Sequence, residues 1–216
     1  MPYLQFLGAA GTVTGSKHLI NTRDDSSRQP GMQVLVDCGL FQGQKEWRLR
    51  NWEDTPVPAR DIDAVILTHA HLDHCGWIPR LAKEGFNGPI YATPPTIDLC
   101  SVILSDSGHL QEEEARFHNQ RKSSKHHPAL PLYTLQEAED CMHLFKPVAF
   151  HEITQLSPKL AFRFVHAGHI LGSCMVEVFL EDETKARKLL FTGRYRPSPS
   201  AAQCSRPCGT RRTRAK

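Results

Sequence analysis

Three histidines and an aspartate lie within six residues in the first half of this 216-residue chain, in the sequence HAHLDH. They are His69, His71, Asp73 and His74. Neutral imidazoles and carboxylates are the ligands that zinc prefers, at about 2.0–2.2 Å. Two such ions ~3.5–4 Å apart can polarise a substrate oxygen and hold a hydroxide for attack. The cluster therefore predicts a metal centre, and the alternative is a group of polar residues in an exposed loop.

The element in front of this cluster gives its spacing a meaning. Residues 64–68 (AVILT) are almost continuously apolar, which is typical of a strand covered on both faces. In extended backbone, residues two apart point the same way, so His69 and His71 can share one metal ion. The chain then turns into a predicted helix at Gly76, which can deliver Asp73 and His74 together to a second position. The C-terminal end of a strand is also where α/β proteins place their sites.

The rest of the chain alternates between predicted strands and helices. The predicted strands cover residues 4–7, 18–21, 33–37, 64–68, 89–92, 160–166, 173–180 and 187–192. The predicted helices cover residues 76–83, 96 to about 120, and 134–144. Thr96 and Thr134 are the expected N-terminal caps of the second and third helices. Strand-rich runs at both ends with helices between them predict a layered α/β domain.

The chain resembles the metallo-β-lactamase superfamily, of which HxHxDH is the signature. Residues 166–173 (HAGHILGS) narrow the resemblance to the β-CASP branch of RNA-processing nucleases, because glyoxalase II-type hydrolases normally carry a TPGHT-like segment there. Residues 8–16 (GAAGTVTGS), 36–43 (VDCGLFQG) and 105–115 (SDSGHLQEEEA) are also similar to this branch and follow the same order. The resemblance covers about residues 3–193.

The resemblance implies an α/β fold of the metallo-β-lactamase αββα sandwich type, two zinc ions and RNA as the substrate. The implied ligands of the first zinc ion are His69, His71 and His169. The implied ligands of the second are Asp73 and His74. Asp37 would be a carboxylate that orients the ligands, with a strand-end turn former as the alternative. Asp73 and Asp37 are thus the carboxylates expected to take part in catalysis.

The resemblance fails at Arg194. The family carries an aspartate that bridges both metals in a segment like FTGD, whereas residues 191–194 of this chain read FTGR. Arginine is a poor metal ligand, and a fixed cation beside two zinc ions would be repelled. We therefore expect an incomplete site, for which one zinc ion is the alternative to the family's two.

The sequence also changes character from Arg194 onward. Residues 194–216 hold seven basic and no acidic residues, which predicts a disordered basic tail. One hypothesis is a shifted reading frame, since one skipped base would change Gly-Arg-Tyr-Arg into Gly-Asp-Ile-Gly. The alternative is a natural short variant whose tail binds RNA or a partner. We expect residues 1–193 to form a metallo-β-lactamase-like domain whose C-terminal part is missing, with the chain truncated before the β-CASP domain.

Composition narrows the class of protein further. Without the seven basic residues of the tail, 19 basic residues remain against 23 acidic ones, a net charge of −4. A strongly basic domain would indicate nucleic-acid binding by counterion release, and this one gives no such signal. No apolar run approaches the roughly 18 residues of a membrane span, and the N-terminus lacks the features of a signal peptide. We therefore expect a cytoplasmic protein without membrane contact, and the sequence leaves its oligomeric state open.

Three functions remain open at this point. The first is a zinc-dependent hydrolase lineage that cleaves RNA phosphodiester bonds. The second is a small-molecule hydrolase of the same fold that cleaves a thioester or a lactone, and the HAGHILGS segment argues against it. The third is a non-enzymatic zinc-binding fragment, which Arg194 favours for the chain as it stands. We expect this chain to have little or no nuclease activity, although its lineage is that of a metal-dependent ribonuclease.

Overall fold

Two β-sheets and a layer of helices make up the fold. The computed structural model describes residues 2–23, 31–123, 126–181 and 186–194. The strands of the first sheet are β1 (Tyr3–Phe6), β2 (His18–Asn21), β3 (Gln33–Val36), β4 (Ala64–Ile66), β5 (Ile90–Ala92) and β6 (Phe145–Pro147). Those of the second sheet are β7 (Ile153–Ser157), β8 (Leu160–His166), β9 (Cys174–Glu181) and β10 (Ala186–Phe191). The helices are α1 (Lys45–Leu49), α2 (Leu72–Cys75), α3 (Ile78–Lys83), α4 (Pro94–Arg121) and α5 (Leu135–Asp140).

The strand order explains where the C-terminal ends of the strands collect. The first sheet runs β1-β2-β3-β4-β5-β6, with antiparallel pairs up to β3 and parallel pairs from β3 to β6. The second sheet runs β10-β9-β8-β7 and is antiparallel throughout. Because β3, β4 and β5 run in the same direction, the loops that follow them emerge at one edge of the first sheet.

Two apolar clusters hold the three layers together. Strand β4 shows the arrangement, since Val65 packs with the helices while Ala64 and Ile66 pack with the second sheet, and all three are fully buried. The cluster between the sheets includes Phe162 and Phe164 and contains no residue of the described helices. The order of the layers is therefore helices, first sheet, second sheet. These are three of the four layers of the expected αββα sandwich.

The predicted elements agree with the structure in type more often than in their bounds. Helix α4 begins at Pro94 after an extended Thr93, so the expectation that Thr96 caps it was wrong. Two prolines at the first helical positions explain the earlier start, because no intrahelical N–H is needed there. Thr134 caps α5 as predicted, in a capping box with Glu137. Strands β6 and β7 and helices α1 and α2 were not predicted, and the helix predicted over residues 76–83 begins at Ile78. No helix in the described ranges is both long and apolar enough to cross a membrane.

The segment that follows β3 packs directly against the HAHLDH segment. The Cys38 amide donates to the His74 carbonyl oxygen at 2.7 Å, which joins the two segments through their backbones. At Gly39 the approach is closer still, because a Cβ atom there would lie 1.7 Å from the carbonyl oxygen of Asp73. Only glycine therefore allows the two segments to lie at this distance.

A Gly39→Ala substitution is expected to lower the free energy of unfolding by about 1–3 kcal/mol, because a methyl group forces the two segments apart. Urea denaturation measures this loss. Amide chemical shifts of Asp73 and His74 should report the displacement. Gly43→Ala is the control, since its Cβ meets nothing within 4 Å and only its φ of +92° adds strain. Unchanged Asp73 and His74 shifts in the Gly39→Ala protein would contradict this interpretation.

Candidate metal centre

The predicted site residues come from both sheets and meet at one edge of the first sheet. Asp37 follows β3 directly, and the HAHLDH segment follows β4 after Leu67 and Thr68. His169 lies in the loop between β8 and β9. That loop is tied to the end of β4, because the Cys174 amide donates to the Thr68 carbonyl oxygen at 2.9 Å. The second sheet thereby brings His169 to residues about a hundred positions earlier in the chain.

Three imidazoles converge at this edge. The His71 Nδ1 atom lies 3.1 Å from His69 Nε2 and 3.2 Å from His169 Nε2. One nitrogen from each ring falls within 4.8 Å of the others, the spacing of atoms that can bind a common cation. His69 is buried, while His71 and His169 are partly exposed, so the group opens to solvent on one side. The structure thus brings together the three residues predicted to bind the first zinc ion.

Burial favours the neutral form of His69 and His71, which is the form that metal binding requires. Burial, together with the charge of neighbouring His74, lowers the pKa of His69 to about 3. The pKa of His71 is also lowered, chiefly by burial. A histidine must be neutral to donate a lone pair to a metal ion. His69 and His71 are therefore ready ligands at neutral pH.

The buried carboxylate of Asp37 organises the neighbouring side chains. Its Oδ1 accepts from the Thr68 amide and hydroxyl, both at 2.9 Å, and its Oδ2 lies 2.7 Å from His74 Nδ1 and 3.3 Å from the Ser16 hydroxyl. Burial alone would raise the pKa of Asp37, but the charge and hydrogen bond of His74 and the Thr68 amide bond hold it below its usual range. Asp37 has a φ of +61°, a left-handed conformation that aspartate tolerates better than most residues. With 2% of its surface exposed, it acts on the site through its neighbours.

Thr68 links Asp37 to the first histidine. Its hydroxyl has a single proton, and the contacts at 2.9 and 3.1 Å to the two Asp37 oxygens show that the hydroxyl donates this proton to the carboxylate in a hydrogen bond. The His69 Nδ1 atom, 2.9 Å from the same hydroxyl, is then the donor of that contact. This tautomer leaves the lone pair of His69 Nε2 directed at the other two imidazoles. The sequence reasoning gave no role to Thr68 or Ser16, although Thr68 stands directly before the first histidine of the motif.

The two residues predicted to bind a second zinc ion have other partners. His74 uses Nδ1 for Asp37, and its Nε2 lies 3.6 Å from Asp73 Oδ2. That same Asp73 oxygen lies 3.3 Å from Nη2 of Arg194, which forms an ion pair with it. Asp73 and His74 therefore stand beside the three-histidine group, as the motif predicts, but a fixed cation already contacts the carboxylate. The other residues of the predicted tail, 195–216, lie outside the described ranges, so their disorder stays a prediction.

A cleft of about 300 Å³ opens beside the histidines. Its walls include Gln42, His71, Asp73, Ile103 and Arg194. His71 thus belongs both to the three-histidine group and to the wall of the cleft.

Asp37→Asn is expected to lower the pKa of His74 in the metal-free chain. Burial alone would lower this pKa, and the charge and hydrogen bond of Asp37 raise it above its usual value near 6.5. The resulting stabilisation is fully present below the unfolded-state pKa, about 6.5, and is lost as the pH rises through the folded value. The Asn variant should lose this contribution. An NMR titration of the His74 ring measures the pKa, with Asp106→Asn at an exposed position as the control. An unchanged His74 pKa would contradict the pairing.

Comparisons with known proteins identify the family of this chain. Residues 28–196 match the family model of the metallo-β-lactamase superfamily domain. Ribonuclease TTHA0252 of Thermus thermophilus is 34% identical over 86% of this chain and 36% of its own length. Transcription termination factor FttA of Methanocaldococcus jannaschii is 31% identical over 82% of this chain and 25% of its own length. Among solved structures, the metallo-β-lactamase MEM-A1 from a soil metagenome has 18% identity and a TM-score of 0.45, over 83% of this chain and 60% of that one.

The chain thus spans about a third or less of the length of these two curated relatives. The match to the family model covers most of the chain and includes the HAHLDH and HAGHILGS segments. The relatives agree with the branch that the second segment predicts. The chain therefore belongs to the metallo-β-lactamase superfamily, within its β-CASP branch.

Proposed function

We propose that this chain carries the metal centre of a zinc-dependent hydrolase that cleaves RNA phosphodiester bonds. The observation that carries the proposal is the convergence of His69, His71 and His169 within 4.8 Å, beside a cleft that His71 lines. One of the two relatives is a ribonuclease and the other a transcription termination factor by name, and both names concern RNA. The HAGHILGS segment supports this reading over a thioester or lactone hydrolase.

The residues present fit a metal ion of the zinc type. Three neutral imidazole nitrogens with one open side are a ligand set that zinc accepts, and its catalytic sites keep a position open for substrate or water. His69 is held by Thr68, as metal-binding histidines generally are held by a hydrogen bond from the ring nitrogen that does not bind. When bound, such an ion would polarise a phosphoryl oxygen and would lower the pKa of a bound water molecule to about 7.

The side chains around the three histidines divide into two roles. Asp37 is a positioning residue, because its contacts with Thr68 and His74 fix rings that face the site while the carboxylate itself is buried. Asp73 lines the cleft, so it is the carboxylate placed to take a proton from a nucleophile there. In this chain, however, Arg194 contacts the same carboxylate and competes for its lone pairs.

This competition supports the second part of the proposal, which is that the chain as it stands is a poor catalyst. Loss of one group that acts in the transition state commonly costs about 10²–10³-fold in rate. Because Arg194 occupies the Asp73 carboxylate, we expect a loss of rate of this size. Zinc-dependent cleavage of RNA by the purified chain at a rate within about tenfold of that of the Thermus ribonuclease would overturn this part, without touching the assignment of the metal ligands.

His71→Ala is expected to weaken zinc binding by more than the roughly 10–100-fold that loss of an outer partner costs, because it removes a ligand that contacts both other histidines. Zinc titration of the metal-free chain by calorimetry measures the affinity. His109→Ala is the matched control, since that imidazole is exposed on α4 and pairs only loosely, at 3.6 Å, with Glu113. Equal zinc affinity in the two variants would contradict the proposed ligands.

The substrate is tested in a chimera in which residues 1–193 replace the matching part of the Thermus ribonuclease. The chimera should cleave an RNA oligonucleotide in a zinc-dependent way, and His71→Ala should abolish that cleavage. A thioester and a lactone serve as rival substrates. A folded, zinc-loaded chimera that hydrolyses either of them and no RNA would support the small-molecule alternative. One that hydrolyses nothing would support a non-enzymatic zinc-binding fragment.

A further inference from the structure

The Asp73 side of the metal centre differs from the three-histidine side in one respect. At the three histidines, one ring nitrogen from each residue lies within 4.8 Å of the others. At Asp73, the Oδ2 atom already has a positively charged partner, because the Arg194 Nη2 atom lies 3.3 Å away. The guanidinium group keeps its charge at any pH that a folded protein meets.

The backbone holds Arg194 in this place. A Cβ atom on the preceding residue, Gly193, would lie 3.1 Å from the Thr68 hydroxyl oxygen, so the chain runs directly past the residue that supports His69. Gly193 also has a φ of +53°, a left-handed conformation that glycine adopts easily. The Arg194 side chain therefore starts beside the metal centre, and its guanidinium reaches Asp73 along the wall of the cleft.

The remaining ligand expected for a second ion, His74, faces the same cation. Its Nδ1 donates to the Asp37 carboxylate at 2.7 Å, which directs Nε2 toward the Asp73 oxygen that Arg194 contacts, at 3.6 Å. A second divalent cation between Asp73 and His74 would have to displace a guanidinium and then remain close to its charge. Like charges in a partly buried site repel strongly, so the residues present do not fit a second ion.

We propose that Arg194 acts as a tethered cation in place of a second metal ion, so that this chain binds a single divalent cation, at His69, His71 and His169. The proposal rests on the three-histidine site of the proposed function. It assigns Arg194 a defined role at the centre: its guanidinium neutralises Asp73, and the metal stoichiometry of the chain is one.

The test is a count of bound ions in variants of the whole chain. Each protein is stripped with a chelator, titrated with zinc, and analysed by elemental analysis after removal of excess metal. Titration with cobalt(II) follows the same sites through their absorption spectrum. Arg194→Asp replaces the cation with a carboxylate, and Arg194→Gln removes the charge without adding an acidic ligand. Arg60→Asp is the matched control, because it makes the same change of charge at an exposed side chain. Arg60 lies before β4, whereas the metal centre lies after it.

The wild-type chain and the Arg60→Asp chain should bind one ion, and the Arg194→Asp chain should bind two. Arg194→Gln should raise the affinity for a second ion about tenfold or more relative to wild type, since it removes the repulsion. Two ions in the wild-type chain would overturn the proposal. A single ion in an Arg194→Asp chain that still binds the first ion would also overturn it. If the Asp variant does not fold, an unchanged affinity of the Arg194→Gln chain for a second ion would do the same. Failure of the three-histidine site is distinguishable, because no variant would then bind any ion.

Discussion

A carboxylate buried among apolar strands needs partners for its charge, and the end of the first sheet is built around that need. An ionised carboxylate taken out of water costs several kcal/mol in effective terms unless charges and hydrogen bonds compensate it. Asp37 obtains this compensation from the Thr68 amide and hydroxyl, from the His74 ring and from the Ser16 hydroxyl. These partners belong to the loops after β1 and β4 and to α2, so one group ties three segments together.

The consequence for the metal centre is that its geometry derives from the pairing of two parallel strands. Strands β3 and β4 are in register, with Val36 opposite Ile66, so the residues that follow them, Asp37 and Leu67–Thr68, emerge side by side. Asp37 then fixes Thr68, and Thr68 fixes the tautomer of His69. A shift in the register of these strands would separate the carboxylate from the threonine. The register of β3 and β4 therefore determines both the pairing of the sheet and the orientation of the His69 ring.

The sequence predicts the site residues that are neighbours in the chain, but not the contacts between residues that are far apart in it. The HAHLDH spacing and the apolar strand before it predict a metal centre at a strand end, and the structure has His69 and His71 there. His169 lies 98 residues from His71, and no periodicity joins them, so only the family resemblance identifies it. The roles of Thr68 and Ser16 could not be predicted, because the sequence does not show which acceptor a hydroxyl group contacts. Strands β6 and β7 were not predicted, because β6 has only three residues and β7 is only partly buried, so neither has a clear apolar pattern.

The proposed single-ion centre accounts for an arginine at a position where the family resemblance implies an aspartate. Relative to the family, this chain lacks one negative charge at residue 194 and gains one positive charge. If it also lacks one divalent cation, the net effect is zero, because the two positive charges of the missing ion equal the change made by the side chain. A centre with one ion and Arg194 thus carries the same total charge as a centre with two ions and an aspartate. Under this proposal, the substitution changes the chemistry of the site and keeps the total charge around Asp37 and Asp73 the same.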